Sequence, residues 1–258
     1  MRGVCSRKVL WKFESLSPVR AFAFPRPNAK PPTVGRHVRD IQAEVKLLTK
    51  NKNKMDKNEF DYYIAESDGR FTSPLLNVDN DVNPKGIKFL YHEQKVPDET
   101  VVYLSFGTPV PRKPAMVDYL WLRGREVFSK KVYDVLKNHN FKGLQLVPAI
   151  ITSRKGEVYK DYWILNVYQE YALLDPEKSE RKGSINDFGC WGMVKKMVLN
   201  KELVLKMPLE NRLAFACREN PAYVLYHKTL VDIIMSVNPE GIVFVPIEKW
   251  HNGISYSL

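Results

Sequence analysis

The chain has 258 residues, 44% of them hydrophobic and 12% aromatic, enough for one domain with a tail or two small domains with substantial cores. Its formal charge of +11 points at first to nucleic acid or an anionic membrane. Residues 1–54, however, hold 13 Lys/Arg against three acids (Glu14, Asp40, Glu44), while residues 55–258 hold 27 Lys/Arg against 26 acids, so the later part is nearly neutral.

No stretch after residue 54 interleaves cations with aromatics over a long face, as a single-strand groove needs, which argues against nucleic acid as the partner of the folded part. Three cysteines, Cys5, Cys190 and Cys217, are too few and too scattered for a disulfide framework and fit a reducing compartment. No run reaches the roughly 18 apolar residues of a membrane span, and no secretory signal stands at the start. The expectation is a soluble cytoplasmic protein without a membrane partner.

The leader, residues 1–54, carries Pro25, Pro27, Pro31 and Pro32 in its middle, one helical candidate at 38–48 and a Lys/Asn tract at 50–54. Three readings compete: a disordered basic arm that binds polyanions, an organellar transit peptide, or a stretch upstream of a true start at Met55. The third is preferred, because the Lys/Asn tract directly before Met55 reads as translated leader sequence. The expected domain is then 55–258.

Within it, residues 60–66 read as a first strand and 67–69 as a polar turn. Residues 77–86 form an Asn/Asp-rich loop that lacks the ligand order and closing Glu of a calcium-binding loop, so it reads as an Asx-rich turn and not a metal site. Strands are expected at 87–92 and 101–106, and another apolar run at 119–122 follows the breaks at Pro109, Pro111 and Pro114. A helix and then a strand follow in residues 128–148. A long hairpin comes next, with arms at 147–152 and 158–171 and Lys155-Gly156 supplying the positive-φ turn position. Residues 175–189 look loop-like, and short strand candidates lie at 193–199, 203–205, 213–216 and 222–225.

Residues 226–246 then repeat the pattern of 128–148. FSKKVYDVLKNHNFKGLQLVP and YHKTLVDIIMSVNPEGIVFVP agree without a gap at six of 21 positions, 98 residues apart: Lys130/Lys228, Asp134/Asp232, Asn140/Asn238, Gly143/Gly241, Val147/Val245 and Pro148/Pro246. Roughly one or two matches are expected by chance. Val132, Val135 and Leu136 stand opposite Leu230, Ile233 and Ile234, the i, i+3, i+4 stripe of an amphipathic helix. Gly143 and Gly241 suit a left-handed turn, and Pro148 and Pro246 are expected to close the short strands. The predicted fold is α+β, with a mixed or antiparallel sheet and a duplicated helix-strand unit that serves as scaffold.

These residues resemble a bacterial immunity-protein family, the eleventh class among polymorphic-toxin immunity proteins, typified by a myxobacterial member. The Ser-led helix of that family maps to Ser129 and its glycine-to-proline strand to Gly143 and Pro148. Its aromatic strand ending in Asn maps to Tyr162 and Asn166, and its LD-x-x-x-S turn to Leu174, Asp175 and Ser179. The resemblance covers about residues 55–248 and is strongest after Tyr119. His227 stands where the second helix of the family often begins with Ser, and the resemblance gives residues 1–54 no counterpart in the family. The resemblance implies a protein that binds a cognate toxin delivered between neighbouring cells, as in type VI secretion and interbacterial competition. Inhibition is then stoichiometric, with no cofactor, metal or turnover, through a rigid surface with a few aromatic or Arg anchors.

Against that stand two other classes: a nucleic-acid-associated protein using the basic arm, and an enzyme of unrecognised type. The sequence holds no phosphate loop, dinucleotide fingerprint, G-x-S-x-G elbow or H-E-x-x-H. His227 with Cys190 or Cys217 is the one dyad to test, and the carboxylates Asp161, Asp175, Glu177 and Asp187 show no acid/base spacing. Among the aromatics, Trp163 reads as core. Trp191, between glycines after a polar loop that includes Asp187, and Trp250, beside His251, are the exposed anchors expected to bind the partner. For a start at Met55, mass spectrometry of the native protein is expected to find no peptide from residues 21–39; their detection contradicts that start.

Overall fold

The structure, a computed structural model, describes residues 59–79, 81–83, 94–122 and 124–252. The leader and the strand expected at 87–92 lie outside them. In chain order the elements are β1 (Tyr62–Ser67), β2 (Leu76–Val78), β3 (Val102–Phe106), β4 (Tyr119–Trp121), β5 (Glu126–Ser129) and helix α1 (Lys130–Leu136). There follow β6 (Leu144–Thr152), β7 (Val158–Val167), β8 (Glu170–Tyr171), β9 (Glu180–Ile185), β10 (Trp191–Lys196) and helix α2 (Lys201–Leu205). The chain then forms β11 (Ala214–Cys217), β12 (Asn220–His227), helix α3 (Lys228–Met235) and β13 (Ile242–Pro246).

This is a sheet-dominated α+β fold, and the expected mixed sheet is two mixed sheets plus a separate ribbon. One sheet runs β13-β1-β12-β11-β8 and the other β2-β3-β6-β7-β5-β4, while β10 and β9 form a separate two-stranded ladder. The pairs β11/β8 and β3/β6 are parallel and the remaining ladders antiparallel.

Because strand side chains alternate between faces, single strands feed two cores. On β1, Ile64 enters one apolar cluster with Phe215, Leu225, Val245 and Trp250, while its neighbour Ala65 enters another. On β7, Ile164 joins a cluster with Leu104, Val147 and Ile151, and Leu165 joins the one that holds Ala65. That shared cluster gathers residues of both sheets and the buried stripes of both longer helices, Val132 and Leu136 from α1 and Leu230, Val231 and Ile234 from α3. Helices of seven and eight residues are too short to persist alone, so their stability comes from this burial.

Strands β5 and β6 flank α1 in sequence and both pair antiparallel with β7, which lies between them. Strands β12 and β13 flank α3 and both pair antiparallel with β1. After each helix the chain turns at a positive-φ glycine, Gly143 at 74° and Gly241 at 87°. Gly241 is also a close approach, since a Cβ there lies 2.4 Å from Val117 Cγ2.

Four expectations change, the first at residues 180–185, expected within a loop, which form β9. Pro148 does not end its strand: β6 continues to Thr152 and its pairing with β3 begins at Ala149, beyond the missing N–H. Residues 203–205 are helical, because Asn200 caps α2 by accepting a hydrogen bond from Leu203 N at 3.2 Å. The second hairpin arm leaves its sheet after Val167 and re-enters the other as β8, parallel to β11.

One carboxylate ties the two helix-strand units together. Asp118 accepts Ser129 Oγ at 2.5 Å, Lys131 Nζ at 3.2 Å and the Glu240 amide at 2.9 Å, and Lys131 Nζ also donates to Asn238 O at 2.9 Å. Ser129 therefore leads α1 without capping it. His227 supplies the cap of α3 instead, its Nδ1 accepting from Thr229 N at 3.2 Å. Burial alone raises the Asp118 carboxyl, but its three donors outweigh that and hold it below the usual carboxylate range. Replacing Asp118 with Ala is expected to cost roughly 1–3 kcal/mol in urea unfolding, with stability loss concentrated above the carboxyl's own titration. An unchanged midpoint contradicts this role.

Candidate partner-binding site

The β9–β10 ribbon stands apart from both sheets. All six residues of β9 are exposed, which is why its sequence, ERKGSI, shows no apolar alternation. At its end, Asn186 N donates to Cys190 O and Gly189 N to Asn186 O, both at 2.9 Å, while Asn186 Oδ1 accepts the amides of Phe188 at 3.0 Å and Cys190 at 2.9 Å. Gly189 has φ of 80°, so the tip is a three-residue loop closed by a left-handed glycine. Asp187 and Phe188 occupy its outer positions. Phe188 is 82% exposed, and Met193 and Ile185 add 59% and 51%.

A glycine pair brings the two strands together lower down. Gly183 has φ of 95°, and a Cβ on Gly192 lies 2.4 Å from Lys182 O. This close approach coincides with a register shift between Trp191 and Met193, a bulge that re-aims side chains. Met193 and its register partner Lys182 face solvent, whereas Val194 and its partner Arg181 mark the side that meets the body, with Val194 fully buried.

The ribbon is tied to the body at both ends. Trp191 packs half-buried against the first core, with the Arg181 guanidinium 5.6 Å from its ring centroid, and its amide donates to Glu219 O at 2.9 Å. Asn252 N donates to Lys195 O at 3.1 Å. Ser179 Oγ donates to Val198 O and accepts from Val198 N at 3.1 and 3.0 Å, and Asp175 Oδ1 accepts the amides of Glu177 and Lys178. The Leu174, Asp175, Ser179 turn is thus the clasp that sets where the ribbon leaves the body.

Of the residues expected to meet a partner, Asp187 sits at the ribbon tip and Trp191 directly behind it, opposite Ile185 and turned to the body. His251 is exposed next to Asn252, which bonds the ribbon's Lys195. Trp250 is a correction: it is fully buried, its Nε1 donating to Glu66 Oε1 at 2.8 Å and its ring 4.8 Å from Tyr223 edge to face. An indole beside a histidine and near a glycine reads as surface until its partner, 184 positions away, is known. Sequence reading missed Phe188, Ile185 and Met193. The Asn186 to Gly189 spacing was the available signal, since a turn with Phe in its outer position must present that ring to solvent.

A concave alternative lies beside the helices, a cavity of about 260 Å³ lined by Tyr133, Leu136, His139, Phe141, Leu144 and Leu230. The neighbouring groove between α1 and α3 holds Asp134 and Asp232, and both are already paired, with Lys130 and Lys137 and with Lys228.

The dyad considered for catalysis is committed elsewhere. His227 caps α3, and burial pushes the Cys217 thiol well above its ordinary value, which disfavours the thiolate. Arg125, Glu126 and Tyr226 form a titratable cluster, but they are 1%, 5% and 0% exposed, so no substrate reaches it. Among the described residues no group of three or more His, Cys, Asp or Glu is arranged to hold a metal ion.

Residues 35–249 match the model of an immunity protein family, Imm11, and the chain belongs to that family. The match opens ahead of Met55, so residues 35–54, part of the basic leader, do have a counterpart in the family. A comparison with curated proteins found no match. Among the described residues no helix is long and apolar enough to cross a membrane.

Burial pushes the Glu126 carboxyl from its ordinary 4.5 up to about 7, against the pull of the Tyr226 hydroxyl and the Arg125 guanidinium. The folded state therefore binds this proton more tightly than the unfolded one. Its stabilisation is complete below 4.5 and lost as pH rises through about 7. Glu126→Gln is expected to flatten the melting temperature between about pH 5 and about pH 8; a profile identical to that of the native chain contradicts this.

Proposed function

We propose that this chain neutralises a cognate bacterial toxin, delivered by contact between cells, through stoichiometric binding in the cytoplasm, and that the β9–β10 ribbon is the contact surface. The observation that carries the reading is Phe188, 82% exposed at the end of a ribbon that Trp191, just behind the tip, and Ser179 and Asn252, at the other end, tie to the body. A large aromatic held rigidly in water loses little conformational freedom on binding and contributes the kind of anchor that dominates interfaces. Family membership supplies the class of partner.

The same reading takes residues 128–148 and 226–246 as two copies of one scaffold unit. The shared strand-helix-strand order around a central antiparallel strand and the matching ion pairs Lys130–Asp134 at 2.7 Å and Lys228–Asp232 at 2.6 Å support this. Their role is stiffness: they fill the core between the sheets from which the ribbon projects.

Co-expression with the toxin domain encoded by the open reading frame beside this gene tests the function. Growth is expected to return only when the immunity chain reaches about one equivalent of the toxin, with the two co-eluting in size exclusion. Rescue at a small fraction of an equivalent indicates turnover instead, and no rescue at any ratio contradicts the reading.

A further inference from the structure

We propose that the ribbon is a plug for a concave site on the toxin, one with an apolar floor that takes Phe188 and a rim of carboxylates that meets the ribbon's lysines. The proposal rests on the toxin-binding reading above and gives the chemistry of the partner's surface.

The first support is the distribution of apolar side chains. Phe188 at the tip and Met193 and Ile185 behind it are exposed at 82%, 59% and 51%, so three large apolar groups face water along a ribbon whose Trp191 and Val194 are turned to the body. A flat partner leaves the edges of so exposed a ring in water, whereas a pocket covers the Phe188 ring and its walls reach the other two. The glycine crossing of Gly183 and Gly192 keeps this part of the ribbon free of bulk, because a side chain at 192 meets Lys182 O.

The second is charge. The ribbon carries Arg181, Lys182, Lys195 and Lys196 against Glu180 and Asp187. On α1 and α3 the lysines Lys130, Lys131, Lys137 and Lys228 each close an ion pair. Lys182, Lys195 and Lys196 close none among the described residues. Lysines left unpaired around an exposed aromatic cluster complement carboxylates on a partner and accelerate its approach.

The third is what the ribbon does not offer. Its outer strand has an edge without a ladder partner among the described residues, yet Arg181, Lys182 and Gly183 with its positive φ are the features by which natural edges resist strand addition. Recognition through side chains is therefore favoured over extension of the sheet. Duplex DNA is the other class of partner a basic ribbon with an aromatic tip can wedge into. Asp187 beside Phe188, and Glu180 at the root, oppose a phosphate backbone and favour the protein.

The test uses the full chain and the toxin domain encoded beside its gene, with affinity and rates measured at low and at high salt. Phe188→Ser is expected to weaken binding at least tenfold, mainly through faster dissociation, with an unchanged melting temperature because the ring is exposed. Lys182→Glu/Lys195→Glu is expected to slow association at low salt by about tenfold or more and to remove most of the salt dependence. Met193→Ser, on the outer face, is a second apolar probe and is expected to weaken binding less than Phe188→Ser.

Native-like affinity in Phe188→Ser, or tighter binding after the double charge reversal, overturns the plug while leaving toxin neutralisation intact if the native chain still binds and rescues. Salt-dependent binding of duplex DNA that Phe188→Ser abolishes, with toxin binding unaffected, overturns it in favour of nucleic acid. Failure of the native chain to bind the toxin domain at all removes both the plug and the function beneath it.

Discussion

The structure depends on one shared core, the apolar cluster where Leu136, Leu165, Leu230 and Ile234 meet Ala65, Val224 and Tyr226. Both sheets and both longer helices contribute to it, so neither sheet is independent of the other. The helices have too few residues to form without that burial, and the strands that flank them are spaced by it. Asp118 adds direction to a force that has none, by fixing Ser129 and Lys131 of one unit to the Glu240 amide of the other. Apolar burial holds the units together and the carboxylate sets how they register.

A body built this way gives the ribbon a fixed base. The turn formed by Leu174, Asp175 and Ser179 buries Leu174, bridges it to Leu199 and bonds Ser179 to Val198, so the family-like motif residues at this point are structural. The free chemistry sits farther out, on residues that hold nothing in place: Phe188, Met193 and the lysines. A ribbon with one side on the body and the other in water can vary its outer residues while the body stays the same.

The legible parts of the sequence were those where burial imposes a period. The stripes of α1 and α3, the dense apolar strand β7 and the Lys155-Gly156 turn all follow from local pattern, as does the mixed α+β class. Strand β9 was invisible because solvent surrounds it and no face is selected. Helix α2 was misread since Leu203 to Leu205 is too short a run to show a period, although Asn200 was a cap signal. Pro148 misled because a proline can stand inside a strand where pairing on one side has not begun. Trp250 misled for the opposite reason to Phe188: its environment comes from Glu66 and Tyr223, distant in sequence, while that of Phe188 comes from its own turn. At the candidate site, Asp187 and Trp191 were named from local composition, and their exposed neighbour Phe188 was passed over.

Backbone hydrogen exchange of the full chain, alone and with the toxin domain encoded beside its gene, tests the central claim most directly. Slowed exchange is expected within residues 180–196, at the tip and along β9, with the amides of α1 and α3 unchanged. Slowed exchange confined to the helix face around Tyr133, His139 and Ile233, with the ribbon unaffected, contradicts it.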